Sequence, residues 1–413
     1  MWLFLACADL NSSSVGHGVE AALEEPTEVD AVQSETRLPI AADERRAWTV
    51  AVYIAGDNDL ETYVMNDLDE LERGGSSDDV YVVAQADRSP DYAVGDGDWT
   101  GTRRYEIEAD GVDGVVKSPV VEDLGELDTG DAATLADFIL WVDANYPSDH
   151  LALVLWDHGS GWDIAVNGAI ASDDTSGSSI SVARGELDAA LAAHTAAVGP
   201  IDVIAFDACN MSAWEVGHVL RSHALTMTAS ASTVGGAGLQ YDLAIPELLA
   251  NPSMDAAGFA DALAYSAAGA GLEVTFSAVD LAEMDDLAVA IDAVAVLALA
   301  DPASNAAVRF AANQTGGLDG AYEDWWLDLG DLAANLSLDP KPSLAAAGDD
   351  LTVALDEAIL ANYTNGPMAF ASGLSIFGDP WYNSKYTRLY GRGEGATWAE
   401  ATHWDELLAV WAR

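Results

Sequence analysis

The sequence predicts an α/β fold in which a mostly parallel sheet is covered by helices on both faces. Three observations lead there. Apolar runs of strand length alternate with segments of helical spacing from residue 48 to about 229, the pattern of successive βα units. Two of the runs, 151–156 and 202–206, are short and almost wholly apolar, as strands buried on both faces are. Beyond about residue 245, Ala-rich helical segments dominate, so a helix-rich C-terminal region should pack against the sheet.

In order, a strand is expected at 48–54. A helix follows at 59–73, where Leu60, Tyr63, Val64, Leu68 and Leu71 recur near helical spacing. Residues 80–85 read as the next strand and 103–107 as a shorter one in a hairpin. A helix over 131–145 follows Thr129-Gly130. Then come the strand 151–156, a helix 184–194, the strand 202–206, a helix 212–221 and a strand 225–229. In the second half, helices are expected at 253–271, 280–300 and 342–362, and strands at 273–278 and 368–377. The chain thus divides into a leader remnant and acidic linker (1–46), a catalytic-type α/β domain (47–245) and a C-terminal α/β region (246–413).

The 413 residues carry 16 basic and 69 acidic side chains, a formal net charge of −53. Lysine occurs three times, at Lys117, Lys341 and Lys385. Nucleic acid and anionic membranes are excluded as partners, because binding them needs clustered Lys and Arg. Such a surface suits a salty medium, attracts cationic substrates and opposes self-association at low salt; a monomer is expected. No apolar run is long enough to span a bilayer.

Cys7 and Cys209 are the two cysteines, so no disulfide framework is expected. Residues 1–7 are apolar and too short for a whole signal peptide. Leu5-Ala6-Cys7 is faintly like the end of a bacterial lipoprotein signal, in which Cys7 would be lipidated; the tail of a cleaved secretory leader and a start without meaning are the other readings. Either of the first two implies a secreted or surface-anchored protein, outside the bacterial cytoplasm, and that location is expected.

The two buried runs end at reactive residues. The first enters Asp157-His158-Gly159-Ser160-Gly161 and the second Asp207-Ala208-Cys209-Asn210. In a parallel sheet both stops share the carboxyl edge, where open α/β sheets place their sites. A Cys and a His brought together there make a nucleophile and its base. A helix starting near Ser212 would favour a Cys209 thiolate, although a lone buried cysteine is more often inert. His158 would act as base and then acid; the other histidines sit at element ends or on helix faces. Alternation puts Asp207 on the same side as Cys209, and helix capping is its other use. Trp156 and Trp162 suit packing or pocket walls. No His/Cys cluster has zinc-ligand spacing, and no residue is assigned to a metal.

The stretches Leu155-Trp-Asp-His-Gly-Ser-Gly-Trp162 and Phe206-Asp-Ala-Cys-Asn-Met211 resemble the two catalytic blocks of the clostripain family of cysteine peptidases. Weaker likenesses lie in Trp48–Leu60, Asp123–Gly130 and Gly373–Phe377. The resemblance implies a caspase-like fold, cleavage after Arg or Lys, and a Cys209–His158 dyad without a third catalytic residue. It implies that the backbone N–H of Gly159, with that of Cys209, stabilises the oxyanion, and that Asp207 lies at the floor of the pocket for a basic side chain. No cofactor is required for such a step. Ca²⁺ could bind among the many carboxylates, yet no EF-hand-like spacing occurs. Two departures stand out. The interval between the blocks has Arg184 as its one basic residue, which disfavours self-cleavage, and 229–241 lacks the acidic residue relatives carry after the next strand. Three functions remain open: an endopeptidase cutting proteins or peptides after Arg or Lys, a caspase-like peptidase of other specificity, and a non-catalytic surface-binding module.

Overall fold

The computed structural model describes residues 45–112, 114–162, 170–269, 275–318, 325–378 and 387–413. Cys7, the leader and nearly all of the acidic linker lie outside them.

The first half is built as the alternation demands. It runs β1 (Arg46–Ile54), α1 (Glu61–Gly74), β2 (Val80–Arg88), β3 (Gly101–Glu106), β4 (Val120–Gly125), α2 (Ala132–Asn145), β5 (Ser148–Trp156), β6 (Ile170–Asp173), β7 (Ser178–Ile180), α3 (Glu186–Ala197), β8 (Ile201–Asp207), α4 (Trp214–Leu220) and β9 (Ala224–Ser230). The second half runs α5 (Tyr241–Ala250), α6 (Ala256–Gly269), β10 (Thr275–Asp280), α7 (Met284–Ala300), α8 (Pro302–Gln314), β11 (Trp326–Asp328), α9 (Leu329–Ser337), α10 (Pro342–Ala358), β12 (Ile359–Thr364), β13 (Ser375–Phe377), α11 (Trp398–Ala401) and α12 (Trp404–Trp411).

Nine strands form one sheet in the order β12-β10-β9-β8-β5-β1-β2-β3-β4. The central five are parallel, and the flanking pairs are antiparallel. Successive side chains of a strand point to opposite faces, so β5 feeds two cores. Leu151, Leu153 and Leu155 pack on the face covered by α2, α3 and α7. Ala152, Val154 and Trp156 pack on the face covered by α1, α5 and α6. The C-terminal helices α7, α9, α10 and α12 extend the first core. Strands β10 and β12 extend the sheet itself.

Several expectations are corrected. The helix expected over 342–362 stops at Ala358, and 359–364 is an edge strand. An open antiparallel edge on β10 recruits it, pairing Phe276 with Tyr363; tertiary pairing overrides a helical run that the sequence continues without a break. The strand expected over 368–377 shortens to β13, which pairs with β11 instead of the large sheet; residues 366–368, with Pro367, form a 3₁₀ turn. Strand β4 gave no signal because it is a polar, largely exposed edge. Helix α5 contains Pro246, which reads as a breaker.

Candidate active site

Pairing of β5 with β8 sets Trp156 opposite Asp207, and the Asp157 N–H donates to the Asp207 carbonyl at 3.3 Å. The two loops therefore leave the sheet side by side. His158 and Cys209, both expected at this edge, lie on these adjoining loops. A β-carbon on Gly159 would collide with the Cys209 carbonyl oxygen and stand 2.9 Å from its backbone nitrogen. Only a glycine lets the strands' ends approach this closely. Gly159→Ala should therefore push the loops apart and cut turnover by at least about 10²-fold, the scale of losing one oxyanion donor, with the melting temperature showing whether the fold survives.

Cys209 is 2 % exposed. Its sulfur accepts the Val234 N–H at 3.2 Å. Asn210 turns the chain sharply with φ 58°, a conformation asparagine tolerates better than most residues, and its N–H donates to the Ser232 carbonyl at 3.0 Å. The helix expected to start near Ser212 begins at Trp214 behind an extended Ala213. Cys209 thus sits on a loop tied to the segment after β9, four residues ahead of the first helical residue's cap region, and not against a helix end.

His158 Nε2 lies 2.7 Å from Asp59 Oδ1. Burial pulls the imidazole pKa down, but the Asp59 hydrogen bond and the charges of Asp157, Asp59 and Asp174 outweigh it, and the net shift is upward. Asp157, to which no role was given, is buried under the ring's loop. It accepts Asn58 Nδ2 at 2.8 Å and Ser172 Oγ at 2.8 Å, and also the Ser172 N–H. Burial pushes its carboxyl up to about 6. Asp59, Asn58 and Ser172 were missed as supports of the site. The signal for Asn58 and Asp59 was the polar run Gly56-Asp57-Asn58-Asp59 after a buried strand; Ser172 had none. Asp59→Ala should lower kcat by about tenfold or more by freeing the ring and move the imidazole's titration to lower pH, a shift a packing defect would not cause; NMR of the ring reads it.

Asp207 and Cys209 line one cavity, with Trp156, Tyr63, Leu60 and Val234 as walls. Asp207 is buried; Oδ1 accepts the Leu239 N–H at 3.0 Å and Oδ2 the Tyr241 hydroxyl at 2.9 Å. Gly238, with φ +48°, brings its backbone so near that a β-carbon would strike both carboxylate oxygens. Burial raises Asp207 to about 6 despite those hydrogen bonds. Behind it, α1 supplies a second buried carboxylate, Asp67, which accepts the Trp156 indole N–H. Burial and the charges of Asp207 and Glu70 hold Asp67 well above the usual range. Among the described residues, no Lys or Arg pairs with Asp207 or Asp67. Trp162 is a packing residue, edge-on to Phe377 and Tyr390.

A His loop and a Cys loop meeting at the carboxyl edge of a mostly parallel, doubly covered sheet define the caspase-like class of cysteine-peptidase folds. The comparisons with known proteins narrow it. The sequence profile of the clostripain family matches residues 52–411: the chain belongs to that family of cysteine peptidases. It is 32% identical over 218 residues to clostripain of Hathewaya histolytica, a match covering 47% of this chain and 40% of that protein; the matched part is thus less than half the length of the relative. A secreted C11 cysteine protease from Bacteroides thetaiotaomicron, solved with an irreversible peptide inhibitor, superposes with a TM-score of 0.66 at 22% identity over 87% of this chain and 99% of its own. An inactive zymogen C11 protease from Parabacteroides distasonis superposes with a TM-score of 0.65 at 19% identity, over 87% and 98%. At these identities the structures establish the shared fold.

Proposed function

We propose that this protein is an endopeptidase that cuts proteins or peptides after Arg or Lys through a Cys209–His158 dyad. The observation that carries it is one cavity lined both by Cys209 and by the buried carboxylate of Asp207, with which no Lys or Arg pairs among the described residues. A guanidinium or ammonium entering there would meet Asp207 and the field of Asp67, and would relieve the repulsion between them. This second carboxylate comes from α1, whereas the segment 229–241 has none.

In the reaction, the Cys209 sulfur attacks the scissile carbonyl carbon. With Nε2 held on Asp59, the Nδ1 atom of His158 takes the thiol proton and delivers it to the departing amine. The carbonyl oxygen, negative in the tetrahedral intermediate, is received by the N–H groups of Gly159 and Cys209. Collapse leaves a thioester and frees the amine product. Water, deprotonated by the same imidazole, then hydrolyses the thioester and regenerates the thiol. The step uses groups of this chain alone.

Location outside the cytoplasm is part of the same reading. None of the described helices is long and apolar enough to cross a membrane, and a lipid on Cys7 would attach the chain to one. A net charge of −53 favours a monomer and draws in basic substrates by long-range steering. A fluorogenic peptide panel varying only the residue before the cut tests it. Turnover confined to Arg and Lys supports the reading. Turnover on other residues leaves a caspase-like peptidase of different specificity, and none at all leaves a binding module.

A further inference from the structure

Four carboxylates that the proposed reaction does not use meet beside the His158 loop. Asp57 leaves the end of β1, Asp87 lies in β2, Glu126 follows β4 and Asp173 ends β6. One oxygen from each lies within 4.8 Å of the others. Asp57, Asp87 and Asp173 are buried and Glu126 is exposed. Among the described residues no Lys, Arg or His forms an ion pair with any of them.

Two of the four are pinned in place. Asp87 Oδ1 accepts Thr102 Oγ1 at 3.0 Å, and its Oδ2 accepts Thr129 Oγ1 at 3.1 Å. Asp173 Oδ2 accepts the Thr129 N–H at 2.9 Å, and its Oδ1 the Ser176 N–H at 2.7 Å. Asp57 differs. It is 0 % exposed, and both of its carboxylate oxygens are buried without a hydrogen-bond partner among the described residues. A buried carboxylate with neither hydrogen bond nor counter-ion is strongly unfavourable as the anion. Setting it against three more carboxylates adds repulsion. Burial and the neighbouring Glu126 push Asp87 up to about 8, the same imbalance seen from a pinned member.

A bound cation resolves it, and the donors select which kind. All are hard carboxylate oxygens, with no sulfur or imidazole, which suits Ca²⁺ or Mg²⁺ over zinc or copper. Four carboxylates within 4.8 Å of one another suit Ca²⁺, which takes about 6–8 oxygens in flexible geometry, over Mg²⁺, which keeps several waters and takes one or two carboxylates. We propose that Asp57, Asp87, Glu126 and Asp173 bind one Ca²⁺, which ties the loop after β1 to the β6–β7 hairpin and so holds His158 in place.

The link to His158 is short. Asn58, next to Asp57, donates to Asp157 and to the Ser172 carbonyl; Asp59 holds the imidazole; Ser172, next to Asp173, donates to Asp157. The Asp174 N–H also donates to the Asp57 carbonyl at 2.7 Å. The ion's effect on catalysis rests on the dyad reading, but its binding does not. The ligands come from four distant segments, so no ligand spacing could reveal them in sequence.

The test is calorimetry and thermal melting of the full-length protein, stripped with EDTA and titrated with Ca²⁺ or Mg²⁺ in concentrated KCl to suppress binding to the acidic surface. One saturable Ca²⁺ per chain is expected, with a rise in melting temperature of about 2–5 °C at millimolar Ca²⁺ and a much smaller one with Mg²⁺. Asp57→Asn and Asp173→Asn should lose the site, and the Asp57→Asn protein without calcium should melt no lower than the stripped wild type. Exposed Asp349→Asn should keep the full response. Equal shifts with both ions, or an Asp57→Asn protein that responds like wild type, would overturn the proposal. Neither readout involves turnover, so a failed site and a failed peptidase assignment remain distinguishable.

Discussion

Cys209→Ala is expected to abolish peptide hydrolysis while leaving the protein folded. The side chain is buried, and the substitution removes one sulfur atom that accepts the Val234 N–H. Losing that acceptor should cost about 1–3 kcal/mol, small enough for a domain of this size to remain folded. Loss of the nucleophile is another matter: kcat should fall at least about 10⁴-fold, as when a member of a catalytic unit is removed. His158→Ala should fall by a similar factor. The double variant should be no slower than either single one, because a nucleophile without its base and a base without its nucleophile are equally idle. Steady-state kinetics on an Arg peptide, with circular dichroism as the folding control, decides it. Additive losses, or turnover in Cys209→Ala above about a hundredth of wild type, would remove the dyad from the reaction.

Asp207→Ala should dismantle the specificity without touching the thiol. The expected loss in kcat/KM for an Arg peptide is about 10²–10³-fold, equivalent to the ~3–4 kcal/mol of a desolvated charge-assisted pair. Alkylation of Cys209 by iodoacetamide should proceed as in the wild type. A pH dependence follows from the burial that raises Asp207 to about 6. Above that pH the carboxylate is charged and can pair with a cation; as pH falls through it, the group is protonated and kcat/KM for Arg should fall. The imidazole titrates in every substrate's profile, so the informative quantity is the ratio of Arg to a neutral residue, which should decline from pH 7 to 5. A flat ratio would mean that Asp207 does not read the charge. Because burial and the charge of Asp207 also favour the neutral form of Asp67, Asp67→Asn should leave the pH dependence of the ratio to Asp207 alone.

Much of this site was legible in the chain. Residues 151–156 and 202–206 are almost wholly apolar, which reads as strands buried on both faces. The residues where apolar character stops, His158 and Cys209, had to lie at one edge of the sheet. Asp207 could be placed on the side of Cys209 from alternation alone. What could not be read locally was anything assembled from several segments. Asp59 looks like an ordinary loop residue until the parallel pairing of β1 with β5 carries it to His158. Asp67 sits on a helix whose other face is apolar, and only the packing of α1 over the sheet puts it behind Asp207. The helix over 342–362 failed for the same reason, since its last residues were claimed by the open edge of β10.

The sequence by itself determined the α/β alternation, the two reactive loop residues and their common edge, because these depend on periodicities of a few residues and on the burial of apolar runs. Only the tertiary structure decided what each key carboxylate faces: Asp59 meets His158, Asp67 meets Asp207, and Asp57 meets Asp87, Glu126 and Asp173. In a chain with 69 acidic residues, composition cannot single out the few that matter. Burial does so, because a carboxylate removed from water must find a hydrogen bond, a proton or a cation, and which of these is within reach is settled by strand order and helix packing.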